Sequence, residues 1–269
     1  MTMAEETTAN QAVTYPEEGS REMIEAGVFY GRKKSKTNPK MKPYVLANRA
    51  GMEIVNLAKT AEGLERAVAF LKEKVQNGGL ILFVGMQAAA EDATTALAKK
   101  FTMPYATNRW AGGTITNFKI VSKRIEYMKK LRTDLASGAL DKYTKKERLM
   151  LEKELARLTI IFGGLEHLTK EPDVLVVVDP NLHSTAVREA NRLKIPVIAF
   201  ANVDSDPDTV DFLVPGNDNA RRSVQWFLKK IETAMDEAMA SKAAAAQKTA
   251  EAAALKAAQE KEAKASAKS

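Results

Sequence analysis

Asn108-Arg109-Trp110-Ala111-Gly112-Gly113-Thr114-Ile115-Thr116-Asn117-Phe118 sets a cation and a large aromatic beside two consecutive glycines. Paired glycines permit backbone angles closed to other residues and let a second backbone come close, while Arg109 and Trp110 offer a charge and a stacking face. The stretch reads either as a contact surface or as a structural corner with Trp110 packed beneath the turn. A second candidate runs from Gly31 to Tyr44 and carries Arg32, Lys33, Lys34, Lys36, Lys40 and Lys42 between Tyr30 and Tyr44. Asn38-Pro39 and Pro43 argue against regular structure there, so the cations sit on an extended exposed segment able to follow a phosphate backbone. The plain alternative is a solvated charge run.

Catalytic chemistry has little to work with. Cysteine is absent, which removes disulfides, thiolate nucleophiles and thiolate zinc sites, and only His167 and His183 supply imidazole. His183 follows Asp179-Pro180 at a helix start, but no serine, cysteine or orienting group is set around it, so it reads as a surface or helix-initiating residue. Asp204, Asp206, Asp208 and Asp211 could hold a hard cation through oxygen, yet they lack calcium-loop spacing and suit turn formation. Val84-Gly85-Met86-Gln87 offers one glycine where a dinucleotide loop wants three, and Gly31 to Lys36 lacks the second glycine of a P-loop. The expectation is therefore no enzyme, no cofactor and no metal. A nucleotide- or sugar-phosphate-binding α/β enzyme is kept as the alternative.

The formal charge of +7 over 269 residues favours a polyanionic partner. No apolar run approaches the roughly 18 residues of a membrane helix, and Met1 to Ser20 lacks the basic start and apolar stretch of a secretory signal, which predicts a cytoplasmic protein.

These residues need elements to position them. Tyr44 to Ala47 and Glu53 to Val55 flank Asn48-Arg49-Ala50-Gly51 as a small hairpin. Thr60 is read as the N-cap of a helix with Leu64, Val68, Leu71 and Val75 on one face, stopped by Asn77-Gly78-Gly79. Leu80 to Val84 and Asp173 to Asp179 are continuous apolar runs, as expected of parallel strands buried on both faces. Pro104 to Thr107, Ile195 to Phe200 and Val210 to Val214 supply three further strands, alternating with helices at Gln87 to Lys100 and His183 to Lys194. Five strands with helical crossovers imply a mainly parallel sheet.

The alternation lapses between Phe118 and Leu168. Phe118, Val121, Ile125, Met128, Leu131 and Leu135 form one heptad-like stripe, and Leu151, Leu155, Leu158, Phe162 and Leu165 another, which predicts an antiparallel helical hairpin. Its faces are strongly basic, beginning with Lys119, Lys123 and Arg124. The expected organisation is an N-terminal extension without order at 1–20, an α/β domain at 21–116 and 170–239, a hairpin insertion at 117–169, and an Ala/Lys/Glu-rich tail at 240–269 that cannot pack a core.

Between about Met23 and Ile231 the chain resembles the bacterial-type small-subunit ribosomal protein 2 family. The opening stretch is similar to that family's Arg-Trp-x-Gly-Gly-x-x-Thr-Asn signature. Asn38-Pro39-Lys40-Met41-Lys42-Pro43-Tyr44, the Leu82-Phe83-Val84-Gly85 strand end and Pro215-Gly216-Asn217-Asp218 followed by Ala220 resemble further family blocks, in the same order and spacing. The resemblance implies a flavodoxin-like (Rossmann-like) three-layer α/β domain with an inserted antiparallel coiled-coil hairpin, and a structural role in the small ribosomal subunit. It also implies contact with small-subunit ribosomal RNA and docking of ribosomal protein 1 for translation initiation, with no catalysis. Two places depart from the family pattern. Gly27-Val28-Phe29-Tyr30-Gly31-Arg32 stands where the family usually reads Gly-Val-His-Phe-Gly-His, and Asn202-Val203-Asp204 differs from the usual Asp-Thr-Asn.

The expected RNA contacts are Arg32, Lys33, Lys34, Lys36, Lys40, Lys42, Arg49, Arg109, Lys119, Lys123 and Arg124. Binding would go through shape and phosphate rather than base reading, because no RNA-recognition or helix-turn-helix signature is present. With the stretch at 108–118 launching the hairpin, its glycines are expected to make the tight turn, Trp110 to pack under it and Arg109 to face the RNA.

Overall fold

The computed structural model describes residues 17–140 and 143–266, with the side chains of 17–20 and 244–266 left aside. Residues 1–16 of the predicted extension at 1–20 and the last three residues of the tail lie outside the described residues. Helix α1 (Glu17–Glu25) starts four residues before the expected boundary at 21.

Strands β4 (Ile81–Val84), β5 (Tyr105–Ala106), β6 (Val174–Val178), β7 (Val197–Ala201) and β8 (Phe212–Pro215) form one sheet in the order β5-β4-β6-β7-β8, every pair parallel. Numbered within this sheet the order is 2-1-3-4-5, the flavodoxin-like arrangement. The central runs are apolar throughout because both faces are covered. Ile81, Phe83, Val176 and Phe200 point into a core shared with α2 (Leu57–Gln76), α3 (Glu91–Lys100) and α7 (Arg221–Ser266). Leu82, Val84, Leu175 and Val177 point into a second core with α4 (Phe118–Ala136), α5 (Lys145–Phe162) and α6 (Ser184–Arg192). Successive strand residues alternate between the two cores, as a pleated backbone requires.

The cap of α2 differs from expectation. The Asn56 side chain accepts the Ala58 N–H at 3.0 Å, while Thr60 is fully buried one turn in and donates its hydroxyl to the Pro215 carbonyl at 2.7 Å. Asn is as good an N-cap as Thr, and the sequence offered both within five positions. Gly63 lets α2 lie directly on β8, since a β-carbon there would collide with the Leu213 carbonyl. At the other edge β5 is only two residues long, and Gly164, in the 3-10 turn that follows α5, packs on the Tyr105 backbone.

A separate three-stranded antiparallel sheet, ordered β1-β3-β2, is formed by β1 (Tyr30–Lys33), β2 (Val45–Arg49) and β3 (Met52–Val55). The expected hairpin is present and gains β1 as a third strand. The basic stretch before it is less free than expected. Residues Lys34–Lys36 and Pro39–Tyr44 form 3-10 turns, Met41 is completely buried against Ala201 and Leu213, and the Asn38 N–H bonds the Val203 carbonyl at 2.9 Å. A single buried methionine thus fixes a segment whose prolines and lysines read as extended.

Helices α4 and α5 pack on each other, and the Tyr127 hydroxyl donates to Glu154 at 3.4 Å. Val121, Ile125, Met128 and Leu131 of α4 are buried. Burial along α5 is confined to its last turns at Leu158 and Phe162, whereas Leu149, Met150 and Ile160 are exposed. α5 begins with a capping box in which Thr144 and Glu147 satisfy each other's backbone N–H groups.

Candidate nucleic-acid interface

The Arg109 to Phe118 stretch is held from behind by one residue of α6. Glu189 is 8% exposed. Its Oε1 accepts the Trp110 indole N–H at 3.0 Å and the Gly113 N–H at 2.8 Å. Its Oε2 accepts Ile115 N–H at 3.1 Å, Thr116 N–H at 3.3 Å and the Thr116 hydroxyl at 3.2 Å. A carboxylate meeting several convergent donors is favoured in its ionised form. Desolvation opposes ionisation here, but the bonds from Trp110, Gly113, Ile115 and Thr116 outweigh it and hold the Glu189 pKa below the usual glutamate value.

This geometry resolves the two readings of the stretch. Trp110 is half-buried against the α4/α6 core with its N–H satisfied internally, so it packs under the turn. Gly113 has φ +85°, a left-handed conformation that favours glycine. Gly112 has no such angle, and a β-carbon built on it would touch nothing within 4 Å.

On the outer side Asn108, Arg109, Gly112 and Thr116 are exposed, and Lys119, Lys123 and Arg124 continue the exposed face along the first turns of α4. Arg109, Lys119, Lys123 and Arg124 form no ion pair among the described residues, and the first turn of α4 has no acidic residue.

A second basic group lies at the tip of the three-stranded sheet. Met52 pairs with Arg49 on one side and Lys33 on the other, and the Lys34 N–H bonds the Gly51 carbonyl of the hairpin turn at 3.1 Å. Lys33, Lys34, Lys36, Lys42 and Arg49 are all exposed and free of ion pairs among the described residues.

Two of the expected contact residues also form ion pairs within the chain. Lys40 Nζ lies 2.6 Å from Asp208 and 3.1 Å from Asp206, so the loop considered for a cation already carries a lysine ammonium. Both Asp206 and Lys40 are held in their charged forms by hydrogen bonds, Asp206 by the Asp208 N–H and Lys40, and Lys40 by Asp208 and Asp206. Arg32 points inward, with Nε 2.8 Å from Asp204 and Nη2 3.3 Å from Asp218 and 3.8 Å from Asp179. Its aspartates are distant in sequence, which is why Arg32 read as one of a run of exposed cations.

The Arg32 cluster occupies the carboxyl ends of the parallel strands, where open α/β sheets bind their ligands. Asp179 follows β6 in a left-handed conformation (φ +63°) and accepts the N–H groups of Asn181 and Leu182 at 3.0 and 3.1 Å. Asn202, after β7, donates to Asp218, after β8, at 3.2 Å. Burial pushes the Asp218 carboxyl up to about 6, helped by Asp179 and opposed by Arg32.

His183 is 2% exposed rather than on the surface. Its Nε2 accepts the Met86 N–H at 3.0 Å and its Nδ1 donates to the Asp179 carbonyl at 2.7 Å, so both ring nitrogens are committed. Desolvation lowers its pKa and keeps it neutral. The imidazole therefore ties the ends of β4 and β6 together and has no free nitrogen for proton transfer.

Glu189 is the residue that sequence reasoning missed. Its signal was faint but present, as a carboxylate at a position flanked by the buried Ala186, Val187 and Ala190 of α6.

A family model described as Ribosomal protein S2 matches residues 23–238. The small ribosomal subunit protein uS2 of Thermus thermophilus is 44% identical over 210 residues, covering 78% of this chain and 82% of the relative. The uS2 proteins of Corynebacterium glutamicum (strain R) and Deinococcus radiodurans are 41% and 40% identical over 218 residues, covering 81% of this chain and 83% of each relative.

Proposed function

The chain belongs to the ribosomal protein S2 family, a structural and non-enzymatic component of the cytoplasmic small ribosomal subunit, and from that premise we propose that it binds small-subunit ribosomal RNA through two basic surfaces. One is the sheet tip with Lys33, Lys34 and Arg49, together with Lys36 and Lys42 of the 3-10 turns between β1 and β2. The other is the loop and helix face with Arg109, Lys119, Lys123 and Arg124. The observation that carries this reading is that these cations are exposed and without ion pairs among the described residues, while Arg32 and Lys40 neutralise aspartates of the chain itself. Docking of ribosomal protein 1 falls to the α/β body and the 117–169 segment, a coiled-coil hairpin insertion in this proposal. The exposed Leu149, Met150 and Ile160 support a protein contact there.

The enzyme alternative meets a physical obstacle. Arg32 fills the strand ends where a ligand would bind, and His183 has no nitrogen to spare.

The test is competitive assembly onto small subunits stripped of their own copy of this protein. Replacing Lys33, Lys34, Lys36 and Arg49 by Ala should weaken binding and flatten its salt dependence, by roughly 0.7–0.9 in logarithmic slope for each phosphate no longer neutralised. An unchanged slope removes the sheet tip from the interface.

A further inference from the structure

Gly112 and Gly113 stand side by side, but only one of them is needed by the fold. Gly113 takes a left-handed conformation and passes its N–H to Glu189. Gly112 has neither a positive φ nor any neighbour within 4 Å of where a side chain would begin, and its amide N–H takes no acceptor among the described residues. A glycine costs conformational entropy on folding, so one without an internal reason points outward. Gly112 is exposed, and in sequence the exposed Arg109 precedes it and the exposed Lys119 and Lys123 follow it.

We propose that Gly112 is a point of backbone approach. Its missing side chain and free N–H admit a segment of RNA sugar-phosphate chain into direct contact with the loop, and Glu189 is the positioning residue that gives the loop this shape. The inference rests on the RNA-binding reading of the loop and helix face, and deepens it. The phosphate is the partner that fits. An exposed backbone N–H without an acceptor suits an anionic oxygen, and the cations nearby stabilise the same charge. A β-carbon at 112 would not disturb the folded chain, because nothing of the chain is near it, but it would fill the space the sugar-phosphate chain needs. Glu189 acts through the loop alone. It is buried behind the turn and its carboxylate already meets donors of Trp110, Gly113, Ile115 and Thr116, so it touches no RNA itself.

The experiment uses the full chain and small subunits stripped of their own copy. Gly112→Ala and Gly112→Val should melt with the wild type yet bind the stripped subunits roughly 10-fold and 100-fold more weakly, graded by side-chain size. That is about 1.4 kcal/mol per tenfold step. Normal binding by Gly112→Val overturns the proposal, and so does a drop in melting temperature in Gly112→Ala that matches its weaker binding. Glu189→Gln is read well below its melting temperature, in a Trp226→Phe background that leaves Trp110 as the sole indole. Weakened binding with a shifted Trp110 emission supports positioning, and wild-type binding with a shifted emission removes Glu189 from the proposal. A variant with Arg109, Lys119, Lys123 and Arg124 changed to Ala separates the two levels. If it binds weakly while Gly112→Val binds normally, only the approach point fails. If both bind normally, the assignment of RNA to this face fails as well.

Discussion

The loop held by Glu189 and the cluster around Arg32 both bury carboxylates next to the parallel sheet, yet they resolve the charge in opposite ways. At the loop, one carboxylate is satisfied by neutral donors of Trp110, Gly113, Ile115 and Thr116, with no cation among its hydrogen-bond partners. The nearby cations thereby stay available on the outside. At the strand ends, three aspartates surround one guanidinium, whose charge is thereby engaged within the chain. The first arrangement shapes a surface for something else to meet. The second closes the place where this architecture ordinarily opens to a ligand, and welds the small sheet to the large one. A basic residue in this sequence therefore cannot be assigned to RNA by charge alone, because what decides is whether the fold brings a carboxylate to it.

The largest expected effect breaks the loop side of this contrast. Glu189→Ala strands the Gly113, Ile115 and Thr116 N–H groups and the Trp110 indole together, and should destabilise the chain by about 3–4 kcal/mol in urea titration. A cost under about 1 kcal/mol would mean that water replaces the carboxylate easily. Glu189 also predicts an acid arm. Its folded pKa is depressed, so its contribution is present above the unfolded value of 4.5 and is lost as pH falls through the folded one.

Next comes Arg32→Met, which leaves Asp179, Asp204 and Asp218 without their cation. Its side chain keeps 22% exposure, so solvent screens part of the loss, and about 2–3 kcal/mol at pH 7 is expected. The penalty should shrink at pH 5, where Asp218 can take up a proton. An equal penalty at both pH values would show that Asp218 is not coupled to Arg32.

Asp218→Asn sharpens the same point. The folded pKa of about 6 stands above the ordinary 3.8, so the folded state holds the proton more tightly, and this group favours folding at low pH and loses that contribution as pH rises from about 4 to about 6. His183 runs the other way. Its depressed pKa contributes stability above the unfolded value of 6.5 that is lost as pH falls through the folded one. Removing the Asp218 carboxyl should erase a decline of roughly 1–3 kcal/mol across pH 4 to 6 and leave the slope of His183 exposed. Persistence of the decline in Asp218→Asn would assign it to another carboxylate. The smallest effect is a pair, in which Gly113→Ala costs about 1–2 kcal/mol through its left-handed backbone while Gly112→Ala stays within about 0.5 kcal/mol.

The sheet was legible because β4 and β6 are apolar at every position, a pattern that only burial on both faces explains. The turn at Gly113 was legible for the same kind of local reason. What stayed hidden was set by contacts distant in sequence. Arg32 meets Asp218 across 186 residues and Glu189 reaches Gly113 across 76. Neither pairing leaves a periodic trace, so Arg32 read as one more surface cation and Glu189 was not singled out at all. His183 failed likewise, since its two hydrogen-bond partners come from the ends of different strands. The exposed Leu149 and Met150 of α5 show the converse. They fall outside the predicted stripe, within which Leu158, Phe162 and Leu165 are buried while Leu151 and Leu155 are half-buried.

The abbreviated β5 has a bearing on the time before assembly. A subunit protein must stay in solution as a free chain until it joins the subunit, and an open sheet edge in that interval invites strand pairing with another copy. Two residues give such a copy little to grip, and the close packing of Gly164 on Tyr105 covers part of the edge with the protein's own backbone. A side chain at 164 would push that cover away. Its cost would then appear as aggregation during synthesis, before the protein has joined the subunit.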